Sequence, residues 1–258
     1  MENTNLFYFN AKLWIPILEK LLSKTISFTC TNQNFTGEIK NQGDEVNLPN
    51  NDKLLITQKK FFAFKIGNVA QVQASADIME AHLTNAQKAI EEVQDSYLLG
   101  LHTDVLETNT VGSEEAPVTL YKSTIYENFV QLSLALKNSD AVHPGVRPWV
   151  VINPNIEAYL LQSPEFINAY KVADETLREG AIGRIAGMDV LVSTNLADVD
   201  SKYYVLAGTN DAITFASQLA KIESLRDKDS FSDLVRGLYL YGAKTVQPKA
   251  LAKMIVKA

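Results

Sequence analysis

The sequence predicts an α+β fold, and three observations carry that expectation. Val69, Val72, Ala76, Met79, Leu83, Ala86, Ile90, Val93 and Tyr97 recur at alternating intervals of three and four residues, the apolar stripe of one long helix. Ahead of it, residues 29–66 alternate between strand-like pieces and strong turn signals. Far downstream, Gly180, Gly183 and Gly187 punctuate a β-hairpin within a region that mixes short helices and apolar strands.

The totals bound what such a fold can do. A chain of 258 residues buries a substantial core and permits one or two domains. Hydrophobic content of 46% and charged content of 21% are ordinary for a soluble globular protein. No run of about 18 apolar residues occurs, so no membrane span is expected. Glu2 stands where a signal peptide carries a basic region, which argues against secretion by that route. Cys30 is the single cysteine, so no intramolecular disulfide can form and a reducing folding compartment is the natural expectation. The net charge of −6 argues against a protein whose main task is gripping nucleic acid, because phosphate binding requires clustered Lys and Arg.

Taken in order, Leu13, Trp14, Ile17, Leu18, Leu21 and Leu22 form the stripe of a short helix with Pro16 in its first turn. It either packs on its own domain or forms an arm that reaches a neighbour. Phe35–Lys40, Glu45–Leu48 and Lys53–Ile66 read as strands, separated by turns at Asn41–Asp44 and Pro49–Asp52. Phe62, Phe64 and Ile66 alternate with Ala63 and Lys65, as a half-buried strand requires, whereas residues 42–60 are polar and offer little to a core. The long helix is expected from Val69 to Leu99, roughly 46 Å at 1.5 Å per residue. Asn68 and Gln71 would cap its start and Gly100 would stop it. So regular a seam also fits a coiled coil, but its alanines and uneven side-chain sizes favour a helix lying across a sheet.

A loop over Thr103–Val118 leads to a second helix, with Thr124 and Glu127 as a capping box and Ile125, Phe129, Leu132 and Leu136 as its buried face. Trp149–Ile152 reads as a buried strand, and Asn153-Pro154 opens a helix through Leu161. Ser163-Pro164 opens another. After the glycine hairpin come a strand at Tyr203–Ala207, a short helix over Ala212–Ser217, a strand over Gln218–Ser224, and closing strands at Leu234–Val246 and near Met254.

No catalytic, cofactor-binding or metal-binding residues are expected. The glycines lack the following Gly-Lys-Ser/Thr of a phosphate loop, since Arg184 and Ile185 follow Gly183; they read instead as turn and bulge positions. Neither a histidine nor a carboxylate stands three or four residues from His82, and no zinc-type cluster involves His102 or His143. Glu91-Glu92 and Glu114-Glu115 read as solvated faces, and Glu223–Asp229 as an exposed turn without calcium-loop spacing. No Gly-x-Ser-x-Gly elbow supports Ser-His-Asp chemistry.

Several segments, in order and spacing, resemble the major capsid proteins of tailed bacteriophages with the Hong Kong 97-type fold. They are Phe35–Glu38, Gly43–Pro49, Gln58–Ile66, Asn68–Gln71, Arg147–Val151, the hairpin around Gly187, Leu206–Gly208, Phe215-Ala216 and Tyr241–Ala243. The resemblance implies an N-terminal arm at 1–28, an extended β ribbon (E-loop) at 29–66, a peripheral domain with the spine helix at 67–122 and 234–258, and an axial domain at 123–233. It implies a virion protein, not an enzyme, that self-assembles as pentamers and hexamers into an icosahedral shell around viral double-stranded DNA. No cofactor or membrane is implied. Scaffolding, portal and possibly decoration proteins would be partners, with assembly in the host cytoplasm. Within 258 residues there is no room for a fused scaffolding segment, so the resemblance implies a separate scaffolding protein or internal chaperoning. Lys53, Lys59 and Lys60 are ribbon lysines to which no cross-linking partner can be assigned. An encapsulin-like compartment shell is the alternative within the same fold, and an enzyme with dispersed site residues the alternative outside it.

Overall fold

The computed structural model describes residues 18, 20, 22, 25–34, 45–48, 52–67, 76–140, 142–143, 145–164, 183–226 and 232–257. Most of the expected arm, the strand at Phe35–Lys40, the Asn68 cap, the helix after Ser163-Pro164 and Gly180 lie outside them. The elements, in chain order, are α1 (Ile26–Thr29), β1 (Glu45–Asn47), β2 (Lys53–Leu55), β3 (Gln58–Gly67), α2 (Ala76–Leu99), β4 (Thr110–Val111), β5 (Val118–Thr119) and α3 (Ile125–Asn138). They continue with β6 (Trp149–Ile152), α4 (Pro154–Leu161), β7 (Arg184–Ile185), β8 (Met188–Val192), β9 (Asp198–Val199), β10 (Lys202–Gly208), β11 (Ile213–Arg226), β12 (Ser232–Thr245) and β13 (Leu251–Lys257). Two compact units result: Met1–Thr29, Gln33–Gln94 and Phe215–Lys244 form the first, and Cys30–Asn32, Asp95–Thr214 and Thr245–Ala258 the second. Residues 67–122 and 234–258, expected together as a peripheral domain, contribute to both.

In the first unit, β11, β12 and β3 form a three-stranded sheet in that order. The β3–β12 register runs from Ser232 opposite Gly67 to Tyr241 opposite Gln58. Gly237 faces Phe62 in this ladder, and a Cβ there would collide with the Phe62 ring. Glycine is therefore what lets the ring lie across the strand. α2 presents Leu83, Ala86 and Ile90 as buried positions, the same alternation of three and four that the sequence shows. At its end, Gln94 is fully buried and donates from Nε2 to Thr25 Oγ1 at 2.7 Å, while its Oε1 accepts from the Tyr239 hydroxyl at 2.9 Å. A row of aromatic contacts links Phe28, Phe215, Tyr241 and Tyr239, with centroids 5.6–6.2 Å apart.

Four expectations need correction here. α2 ends at Leu99, immediately before Gly100, as expected, but not by a left-handed cap: Gly100 has no positive φ, and the chain tightens instead into a 3-10 turn over Gly100–Asp104. In place of the helix expected over Ala212–Ser217, Ala212 lies in a turn and Ile213 begins β11. Those six residues are all buried, Thr214 and Ser217 included, so no alternation of exposed polar residues marks the strand. Glu223 to Arg226, expected in an exposed turn, lie in the same strand, and Glu223 takes a two-armed ion pair from Arg236 at 2.7 and 2.9 Å. The ribbon is also less polar than it reads: Val46, Leu48, Leu54 and Ile56 are buried.

The second unit is built on a mixed sheet in the order β4-β13-β10-β6-β8-β7, with β5 also on β13 and β9 also on β10. β10 pairs antiparallel with β13 over seven residues and with β6 over three, while β6 runs parallel to β8. All four residues of β6 are buried, the signature of a strand covered on both faces. α3 packs on β13 and β4 through Ile125, Phe129, Leu132 and Leu136. Its capping box does not form: Thr124 makes no side-chain cap, its backbone standing at φ −119° and ψ −7° in the helical region rather than the extended one a capping residue adopts, and a preceding turn binds the Thr124 and Ile125 amides to the Tyr121 carbonyl at 3.1 and 3.0 Å. α4 starts as expected, with Asn153 accepting from the Ile156 amide at 2.8 Å and Pro154 in the first turn. The loop over Thr103–Val118 is more ordered than it reads, holding a second 3-10 turn and the short strands β4 and β5.

Candidate functional site

The residues screened for chemistry are scattered. His143 is exposed in a turn closed by the Val146 amide on its carbonyl. His102 is half-buried, with Nδ1 3.0 Å from the Leu99 carbonyl and its ring stacked 4.3 Å from Tyr204. Burial holds the imidazole below its ordinary pKa. Cys30 is fully buried, and that burial, reinforced by Asp95, pushes the thiol up and keeps it protonated. Among the described residues, no group of three or more His, Cys, Asp or Glu could hold a metal ion.

Glu114 belongs to a polar cluster of the second unit. Its carboxylate accepts from the Tyr204 hydroxyl at 3.0 Å on both oxygens and from Lys202 Nζ at 3.2 Å. The Tyr204 bond, more than the lysine, holds the carboxyl below its ordinary value. Lys202 also donates to the Glu114 carbonyl at 2.8 Å. No nucleophile or open acceptor site completes this cluster; its effect is to pin the loop after Gly112 to β10. Two clefts occur in the same unit. One of about 670 Å³ is lined by Tyr121, Tyr159, Tyr203 and Lys257, and one of about 380 Å³ by Leu106, Ala135, Asp140 and Lys249.

What the first unit does expose is a hairpin and one face of β3. In the first unit, β1 and β2 form a hairpin held by Glu45–Lys53 at 2.9 Å, and Lys244 pairs with Asp52 at its turn. Lys59, Phe61, Ala63 and Lys65 share one face of β3 and are all exposed, Phe61 at 78%. Sequence reading placed Phe62 and Phe64 correctly but missed Phe61. The signal was available: with period two, Phe61 cannot share a face with Phe62 and Phe64. The hairpin turn at Gly187 is as expected, with Ala186 at φ 49° and Gly187 at φ 87° between β7 and β8. Gly183 has no positive φ and plays no such part.

A family model described as phage capsid protein matches residues 53–254. Among solved structures, the chain is similar to one from Mycobacterium phage Che8, at 22% identity and a TM-score of 0.66, covering 90% of this chain and 91% of that one. It is also similar to the capsid of cyanophage P-SCSP1u, at 11% identity and a TM-score of 0.62, covering 80% and 75%. An encapsulin from Synechococcus elongatus gives 12% identity and a TM-score of 0.55, covering 82% and 77%. No curated protein matches the sequence.

Proposed function

The chain belongs to the phage capsid protein family and is a major capsid protein with the Hong Kong 97-type fold, and from that premise we propose how it works. Copies assemble as pentamers and hexamers into an icosahedral shell that encloses viral double-stranded DNA. The observation that carries this is the family match, which spans 53–254 and so reaches into both units. The subunit catalyses nothing in this reading. Its work is done by head-to-tail contacts that close into rings, each modest and summed over the shell. The acidic balance of −6 suits a wall along which DNA slides.

The finer division follows the resemblance: an arm at 1–28, a ribbon at 29–66, peripheral segments at 67–122 and 234–258, and an axial domain at 123–233. In support, β1 and β2 form a hairpin and β3 carries an exposed apolar residue, as a segment reaching for a neighbour would. Scaffolding and portal proteins complete assembly in the host cytoplasm, with decoration proteins as possible later additions to the shell.

Electron microscopy of the protein produced alone and with its neighbouring genes tests this reading. Closed polyhedral particles, sheets or tubes are the expected result; a monomer or small dimer under every condition overturns it. A compartment shell shares the fold, and contents separate the two: packaged DNA marks a capsid, whereas protein cargo marks a compartment.

A further inference from the structure

We draw no further inference here: the strongest candidate, the cleft of about 670 Å³ in the second unit that Tyr121, Tyr159 of α4 and Tyr203 of β10 line, carries nothing because nothing in the structure shows what fills or covers it.

Discussion

Two antiparallel strand pairs, one in each unit, use the same ladder to opposite ends. In β10–β13, residues 204–208 and most of β13 are buried on both faces. In β3–β12 the ladder is longer, yet Lys59, Phe61, Ala63 and Lys65 face solvent. The first pair spends its apolar surface inside the subunit; the second keeps some of it outside. The same strand chemistry therefore builds a sealed core in one unit and a face left open to solvent in the other.

The sharpest way to break that comparison is to place one charge in each pair. Val205→Asp, at a fully buried position in β10, is expected to remove about 4 kcal/mol or more and leave little soluble protein, because an unpaired carboxylate is buried. Phe61→Asp should change stability by no more than about 0.5 kcal/mol while abolishing assembly. Melting curves and particle counts read both. A large loss of stability from Phe61→Asp would mean that its face is core after all.

The polar centre of the first unit comes next. Gln94→Leu removes the buried partner of the Thr25 and Tyr239 hydroxyls, and each buried bond lost costs about 1–3 kcal/mol. Chemical denaturation should show the loss, and Gln94→Glu should not restore it, because it puts a carboxylate at a fully buried position. Smaller again is Gly187→Val. Nothing lies within 4 Å of a Cβ there, so the cost is backbone strain alone, about 1–2 kcal/mol. Gly187→Ala should cost nearly as much, which separates strain from crowding.

Much of this was legible in residues whose local and tertiary preferences agree. The α2 stripe over Leu83, Ala86 and Ile90, the β6 strand with its Asn153-Pro154 helix start, and the Gly187 turn all stand. Misreadings fall where burial removes the pattern. Ala212–Ser217 is buried on both faces, so period two vanishes and a helix looks equally good. Thr124 and Glu127 spell a capping box, but Thr124 takes helical rather than extended backbone angles, and the Tyr121 carbonyl already holds the Thr124 amide that Glu127 would serve. Phe61 was passed over, although period two sets it on the face opposite Phe62 and Phe64; hydrophobicity alone does not say which apolar residues a subunit leaves uncovered.

The gentlest comparison is between two carboxylates, Asp52 in the first unit and Glu114 in the second. Lys244 lowers the Asp52 pKa, and Tyr204, then Lys202, lowers that of Glu114. A carboxyl held below its unfolded value contributes stability that is fully present above that value and is lost as pH falls through the folded one. For Glu114 the unfolded value is near 4.5. The groups acting on it are Tyr204, Lys202 and Lys253; burial opposes them. Glu114→Gln should thus lower the melting temperature by a constant small amount above about pH 5, and the gap to the unaltered chain should close as pH falls below 4.5. Asp52→Asn should behave alike, with its gap closing slightly lower because its ordinary value is 3.8. Both carboxylates are solvated, so added salt should shrink each gap. A Glu114 gap that persists at low pH would mean that the loop after Gly112 is held by shape rather than by charge.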